Sequence, residues 1–129
     1  MVERGFTLIE LCVALTVLAI VAAMAWGQYR GYWIRARQAE TKIQLLALLH
    51  QVEQLNDPSL TTAYHTDHYR FYARRTEEGQ VGLAIWLVQA EPQGSMVGTG
   101  GLGLDSRGYS CFTPTQDSPC VPLPRGNWN

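Results

Sequence analysis

This 129-residue chain carries almost no net charge: the formal value is −1, and from Gln28 onward nine basic residues meet nine acidic ones. That balance excludes nucleic-acid binding driven by a general positive field. Only a local group remains for such a role, Arg70, Arg74 and Arg75 with Tyr69 and Tyr72, a basic and aromatic surface for phosphates and bases. The plainer reading is a solvated strand face on which arginine stems cover aromatics, with Glu77 and Glu78 blunting the field. Histidine is scarce, three in all. His65, Asp67 and His68 stand close together, but His50 is the only other imidazole and a zinc set wants more, so they read as a surface connector. Asp105 and Asp117 are too few and too far apart for a calcium site. No Ser/His/Asp or Cys/His grouping has a scaffold, and Gly98–Gly103 follows a turn and enters a strand where a phosphate loop would open a helix, so it reads as a flexible loop. The sequence points to no catalysis, no metal and no cofactor.

Cysteine is equally sparse, with three. Cys12 lies in an apolar run and reads as a small apolar side chain facing lipid or other helices. Cys111 and Cys120 are nine positions apart near the C-terminus. In a small domain outside the cytoplasm such a pair reads as a disulfide closing a short loop, worth about 2–3 kcal/mol. Two free thiols or half a metal site are the alternatives.

What the chain has in abundance is apolar length at its start. A short charged leader, residues 1–5, ends in Gly5. Phe6–Trp26 then runs long enough to cross roughly 30 Å of hydrocarbon as a helix. One carboxylate, Glu10, interrupts it near the start, at a cost of roughly 2.5–3.5 kcal/mol for an acidic group at mid-membrane. A secretory signal would have a shorter apolar core and a small-residue cleavage site after it; here the chain continues unbroken, so the segment is expected to stay attached. Arg4 in the leader favours a cytoplasmic N-terminus, with everything after Trp26 on the far side.

The stretch Gly5-Phe6-Thr7-Leu8-Ile9-Glu10-Leu11 resembles the processing site of a type IV pilin or pseudopilin. The resemblance implies cleavage after Gly5 by prepilin peptidase, methylation of the new N-terminal residue Phe6, and a contact between Glu10 and the N-terminal amine of a neighbouring subunit. Many members of that family carry a proline near the position of Gly27. Gly27 and Gly31 each weaken the helix by about 1 kcal/mol relative to alanine, so they mark either a spot that loses helical order in the fibre or a place for close helix packing.

Helical periodicity outlasts the apolar run. Leu45, Leu48, Leu49, Val52 and Leu55 form one stripe, flanked by Ile43 and Leu46, while Arg35, Lys42 and Glu53 lie away from it. Asn56-Asp57-Pro58 supplies a stop, since asparagine accepts a left-handed cap and proline bars continuation. The spacing therefore predicts one helix over 6–55. Residues 69–75 alternate as a strand, Glu77–Gln80 forms a turn, and 81–89 gives a second strand with Val81, Leu83, Ile85 and Leu87 on one face. Residues 102–105 and 109–112 suggest two further short strands about a turn at Ser106–Gly108. Pro114, Pro119, Pro122 and Pro124 rule out regular structure in the tail.

The fold class expected is α+β: a long N-terminal helix, membrane-spanning in its first half, packed by its second half on a small antiparallel sheet with a C-terminal disulfide loop. The expected division is a leader at 1–5, a membrane and filament-core segment at 6–26, and a head at 27–129. This order is similar to a type IVa pilin, and most like minor pilins of the PilE kind. The resemblance implies a structural subunit of a pilus serving motility, adhesion or DNA uptake. A minor pseudopilin of type II secretion and a pilus-borne DNA receptor are the alternatives. Its partners would be other pilin subunits, prepilin peptidase, the inner-membrane assembly platform and, before assembly, the membrane itself. The implied location is a single pass through the inner membrane of a Gram-negative bacterium with a periplasmic head, then the extracellular filament.

Overall fold

The computed structural model describes residues 5–59, 66–78, 83–114, 117–118, 120–124, 126 and 128. Met1–Arg4, His65, the turn residues Gly79 and Gln80, Val81 and Pro119 lie outside them. The chain divides into two compact units, Met1–Arg35 and Ala36–Asn129.

One helix, α1 (Leu8–Leu55), begins in the first unit. It starts two residues later than expected because Thr7 caps it: the Glu10 amide donates to the Thr7 hydroxyl at 3.3 Å and the Leu11 amide to the Thr7 carbonyl at 3.2 Å. Residues 8–26 are exposed throughout, so none of the described residues covers this apolar surface. Thr16 is the one hydroxyl buried in sequence among these side chains, and it donates back to the carbonyls of Cys12 and Val13 at 3.1 and 2.8 Å. That local bond satisfies the hydroxyl without a partner helix, as a lipid-facing threonine requires.

In the second unit α1 turns one face to a core. Thr41, Leu45, Leu48, Leu49 and Val52 are buried, at the three- and four-residue steps of a single stripe. Leu55, expected on that stripe, is 64 % exposed. It is the last helical residue, and Asn56 follows at φ 52°, the left-handed cap anticipated from its side chain.

Four antiparallel strands follow in the order β1 (Tyr69–Glu78), β2 (Leu83–Pro92), β3 (Gly101–Asp105) and β4 (Ser110–Thr113). β1 and β2 both run about three residues beyond the sequence expectation, so Glu77 and Glu78 pair as strand where a turn was anticipated. The register sets the faces. Phe71 pairs with Ala90, Ala90 with Leu102 and Leu102 with Phe112, so these side chains share one face with Tyr69, Val88 and Leu104. Tyr69, Val88, Ala90 and Leu102 have no exposed surface, like Leu45, Leu48 and Val52 of the helix. These two sets form the core.

The opposite face carries Arg70, Tyr72, Arg74, Leu87, Gln89, Gly101, Gly103 and Cys111. Its β1 residues were expected to be solvated, and Ile85 and Leu87 were expected on the apolar core face. The register instead sets Leu87 against Arg74 and Ile85 against Thr76, away from Tyr69 and Phe71, and residues 86–90 of β2 are buried on both faces. The cover is the C-terminal tail. Cys111 and Cys120 are joined in a disulfide, with Cα atoms 6.1 Å apart. Gln89, buried, donates through Nε2 to the Cys120 carbonyl at 2.7 Å. A Cβ on Gly103 would stand 2.7 Å from Cys111 Sγ and 2.9 Å from the Cys120 carbonyl oxygen, and one on Gly101 would stand 2.7 Å from the Ser118 carbonyl oxygen. Hence the glycine–leucine alternation of β3: leucines fill the core and glycines let the tail lie flat on the sheet. Gly101 and Gly103, read from sequence as parts of a flexible loop, are buried strand.

Candidate functional site

The residues singled out at the N-terminus lie in consecutive order along one short stretch of backbone. Gly5 is exposed, with open space around the position a Cβ would take. Phe6 is 78 % exposed and precedes the helix. The Gly5–Phe6 peptide bond is therefore in non-helical backbone, with no side chain of the described residues packed over it, which is what a protease needs to reach a scissile bond.

Glu10 sits in the first turn of α1. Partial positive charge at a helix N-terminus favours an acidic side chain there. Among the described residues it has no ion-pair partner. Thr7 and Glu10 stand three apart, the spacing of a capping box, and one half of that box, the amide-to-hydroxyl bond, is formed. Thr7 is the residue that the sequence reading passed over, and its signal was present: threonine, two residues, glutamate, then an apolar run.

The arginine group does not assemble as the sequence suggested. Arg70 and Arg74 share one face of β1 with Tyr72, but Arg75 pairs with Trp86 on the other face and reaches Asn56 Oδ1 at 3.5 Å. Tyr69 is completely buried. Its phenol pKa is pushed up, chiefly by burial, so it stays neutral within the core. Tyr72 donates to Glu91 Oε2 at 2.9 Å. Hydrogen bonding to Tyr72, with the Glu91 charge beyond it, holds the Arg70 guanidinium above its usual range. The charge at Arg70 is thus engaged locally by its own sheet.

Other polar residues are likewise committed to structure. Asp105, 2 % exposed, accepts from Arg107 N and Tyr109 N through Oδ1 at 3.0 and 2.9 Å, and from Arg107 Nε and Nη2 through Oδ2 at 3.0 and 2.7 Å. Both carboxylate oxygens of Asp117 accept from the Gly98 amide. Lys42, taken from sequence as a solvated residue, is half-buried, donates to the Trp128 carbonyl at 3.0 Å and lies 5.6 Å from its ring centroid. The Trp128 indole in turn donates to the Gly103 carbonyl at 3.2 Å. His68 Nδ1 is 3.5 Å from Ser95 Oγ, and the described residues contain no group of three potential metal ligands.

Comparison with curated proteins and with solved structures gave no match in either. A protein-family comparison did: residues 1–26 match the model of the prokaryotic N-terminal methylation motif. The matched segment contains Gly5, Phe6, Thr7 and Glu10 and ends with the exposed apolar part of α1, which fits membrane anchoring. This motif, heading a membrane-length helix that leads to a four-stranded sheet and a disulfide-closed tail, indicates a type IV pilin- or pseudopilin-like protein processed by prepilin peptidase.

Proposed function

We propose that this chain is a minor structural subunit of a type IV pilus, of the PilE kind, cut between Gly5 and Phe6 and methylated on Phe6. The observation that carries the reading is the register of the methylation motif on the structure: an accessible Gly5–Phe6 bond, a capped helix start at Thr7 and a Glu10 in the first turn with no ion-pair partner among the described residues. In this reading residues 1–5 are the leader, 6–26 the membrane and filament-core segment, and 27–129 the head. The subunit waits in the inner membrane of a Gram-negative cell with its head in the periplasm. The assembly platform then transfers it to the filament.

The energetics support such a transfer. Exposing the apolar surface of residues 8–26 to water costs about 25 cal/mol for each Å², so the segment leaves lipid only for another apolar medium. A bundle of neighbouring subunits' helices supplies it. Glu10, unpaired among the described residues, gains the Phe6 ammonium of a neighbour, and neither charge is then buried alone. The minor pseudopilins of type II secretion work with the same N-terminal chemistry and form the competing reading. Intact-mass analysis of protein taken from sheared pili tests the proposal. The expected species lacks Met1–Gly5 and carries one added methyl group. The uncleaved, unmethylated chain in filaments refutes it, and recovery solely with secretion-system components assigns the subunit to a pseudopilus.

A further inference from the structure

The exposed apolar stretch Leu8–Trp26 rises about 28 Å, close to the roughly 30 Å of a bilayer's hydrocarbon core. The next turns of helix change character. Trp26, Tyr29, Tyr32 and Trp33 place four aromatic rings within eight residues, interleaved with Arg30. Trp26, Tyr29 and Tyr32 are 73, 64 and 69 % exposed. By helical angle Trp26, Tyr29, Arg30 and Trp33 fall on one stripe, and these four side chains line a shallow notch of about 180 Å³. Arg30 is the single charge among these four, whereas Arg35 projects from the other side of the helix. No acidic residue occurs between Glu10 and Glu40.

Each feature points to the same kind of occupant. Tryptophan and tyrosine rings favour the headgroup level, where an apolar body and a polar edge are both accommodated. A guanidinium forks onto two oxygens of a phosphate, and does so more strongly beside low-dielectric surface. The height of the notch above the start of the span puts it where phosphodiesters lie. We propose that the notch is a binding site for an anionic phospholipid in the leaflet at the C-terminal end of the span. The phosphodiester sits on Arg30, and the glycerol end of the lipid rests on Trp26 and Trp33. The inference rests on the reading of residues 8–26 as a membrane span and adds a lipid class to it. It gives the waiting subunit a fixed depth and a specific contact that must be released on assembly.

The test uses the full chain reconstituted in vesicles of phosphatidylcholine with a minor fraction of phosphatidylglycerol. Bromine is placed near the glycerol end of one lipid or the other, at equal mole fraction, and tryptophan emission is read. The W26F/W33F double variant identifies the signal from the notch. The expected result is preferential quenching by brominated phosphatidylglycerol, corresponding to about fivefold enrichment beside the notch. R30Q should abolish the preference and R35Q should preserve it. Equal quenching by the two lipids, a preference that survives R30Q, or an equal loss in R35Q overturns the lipid site while leaving the span intact. Absence of quenching by either lipid overturns both the site and the span.

Discussion

The two units of this protein keep their chemistry in different places. In the N-terminal unit the residues of interest fall in two short runs along the chain: Gly5, Phe6, Thr7 and Glu10, and the aromatic stripe at 26–33. Its apolar side chains from Leu8 to Trp26 are exposed, with none of the described residues folded over them. In the C-terminal unit the decisive contacts join residues far apart in sequence. Gln89 meets Cys120, Lys42 meets Trp128 and Gly103 lies beneath the disulfide. The first unit leaves the apolar surface of residues 8–26 uncovered, and the second satisfies its buried polar groups internally. The expectation that follows is a clean separation: changes near the N-terminus alter assembly without altering the head, and changes under the tail do the reverse.

The strongest challenge to that separation is Glu10→Ala. The backbone half of the Thr7 cap does not use the Glu10 side chain, so the helix start should survive. Removing one partner of a buried charge pair costs about 3–5 kcal/mol, so incorporation into filaments should fall by well over tenfold. Membrane level, cleavage and the melting temperature of the head in detergent should be unchanged. Immunoblots of sheared pili against whole membranes measure the first, and wild-type incorporation would dismiss the charge-pair mechanism.

Leu48→Ala tests the other side. Leu48 is fully buried between helix and sheet, and truncating such a leucine costs about 2–5 kcal/mol. Chemical denaturation of the full chain in detergent should show that loss in the head, while processing at Gly5–Phe6 continues at the normal rate. Impaired processing would mean that the two units are coupled.

Gly103→Ala sharpens the comparison within the head. Its new methyl group would press on Cys111 Sγ and the Cys120 carbonyl, an overpacking worth about 1–3 kcal/mol. In a background with both cysteines changed to serine the tail can lift, so the same substitution should cost less. Two equal costs in that double-mutant cycle would show that the disulfide is not the obstacle.

The smallest effect concerns pH. The Tyr69 phenol is held above its ordinary value of 10.0, first by burial. A raised folded-state pKa means that its stabilising contribution is complete below pH 10.0 and is lost as pH rises through the folded value. Head stability should therefore decline on the alkaline side of pH 10.0, and Tyr69→Phe should shallow that decline. An unchanged slope in the variant would assign the alkaline loss to other groups.

Much of the fold was legible because its signals are local. The helix period at 45–52, the Asn56 cap before Pro58 and the alternation of Tyr69, Phe71 and Ala73 each need only a few neighbouring residues to be read. Where the reading failed, either a distant segment or a strand alternation not carried through was responsible. Leu55 continues the helical stripe but lies 64 % exposed, because periodicity nominates residues for burial while the reach of the sheet decides how many are covered. The three arginines near residue 70 look like one patch in sequence, yet a strand sends Arg75 to the face opposite Arg70 and Arg74. Glycines 101 and 103 look like a loop until a tail is laid over them.

The sequence alone determined the membrane-length helix, the processing motif, the position of Glu10 and the candidate disulfide, since each depends on residue type at short spacing along the chain. Only the tertiary structure decided that β2 is buried on both faces, that Gln89 and Asp105 are satisfied, and that Lys42 closes on Trp128. Those outcomes depend on which segments approach through space. That approach is fixed by strand register and by the path of a tail whose prolines leave it no regular structure of its own.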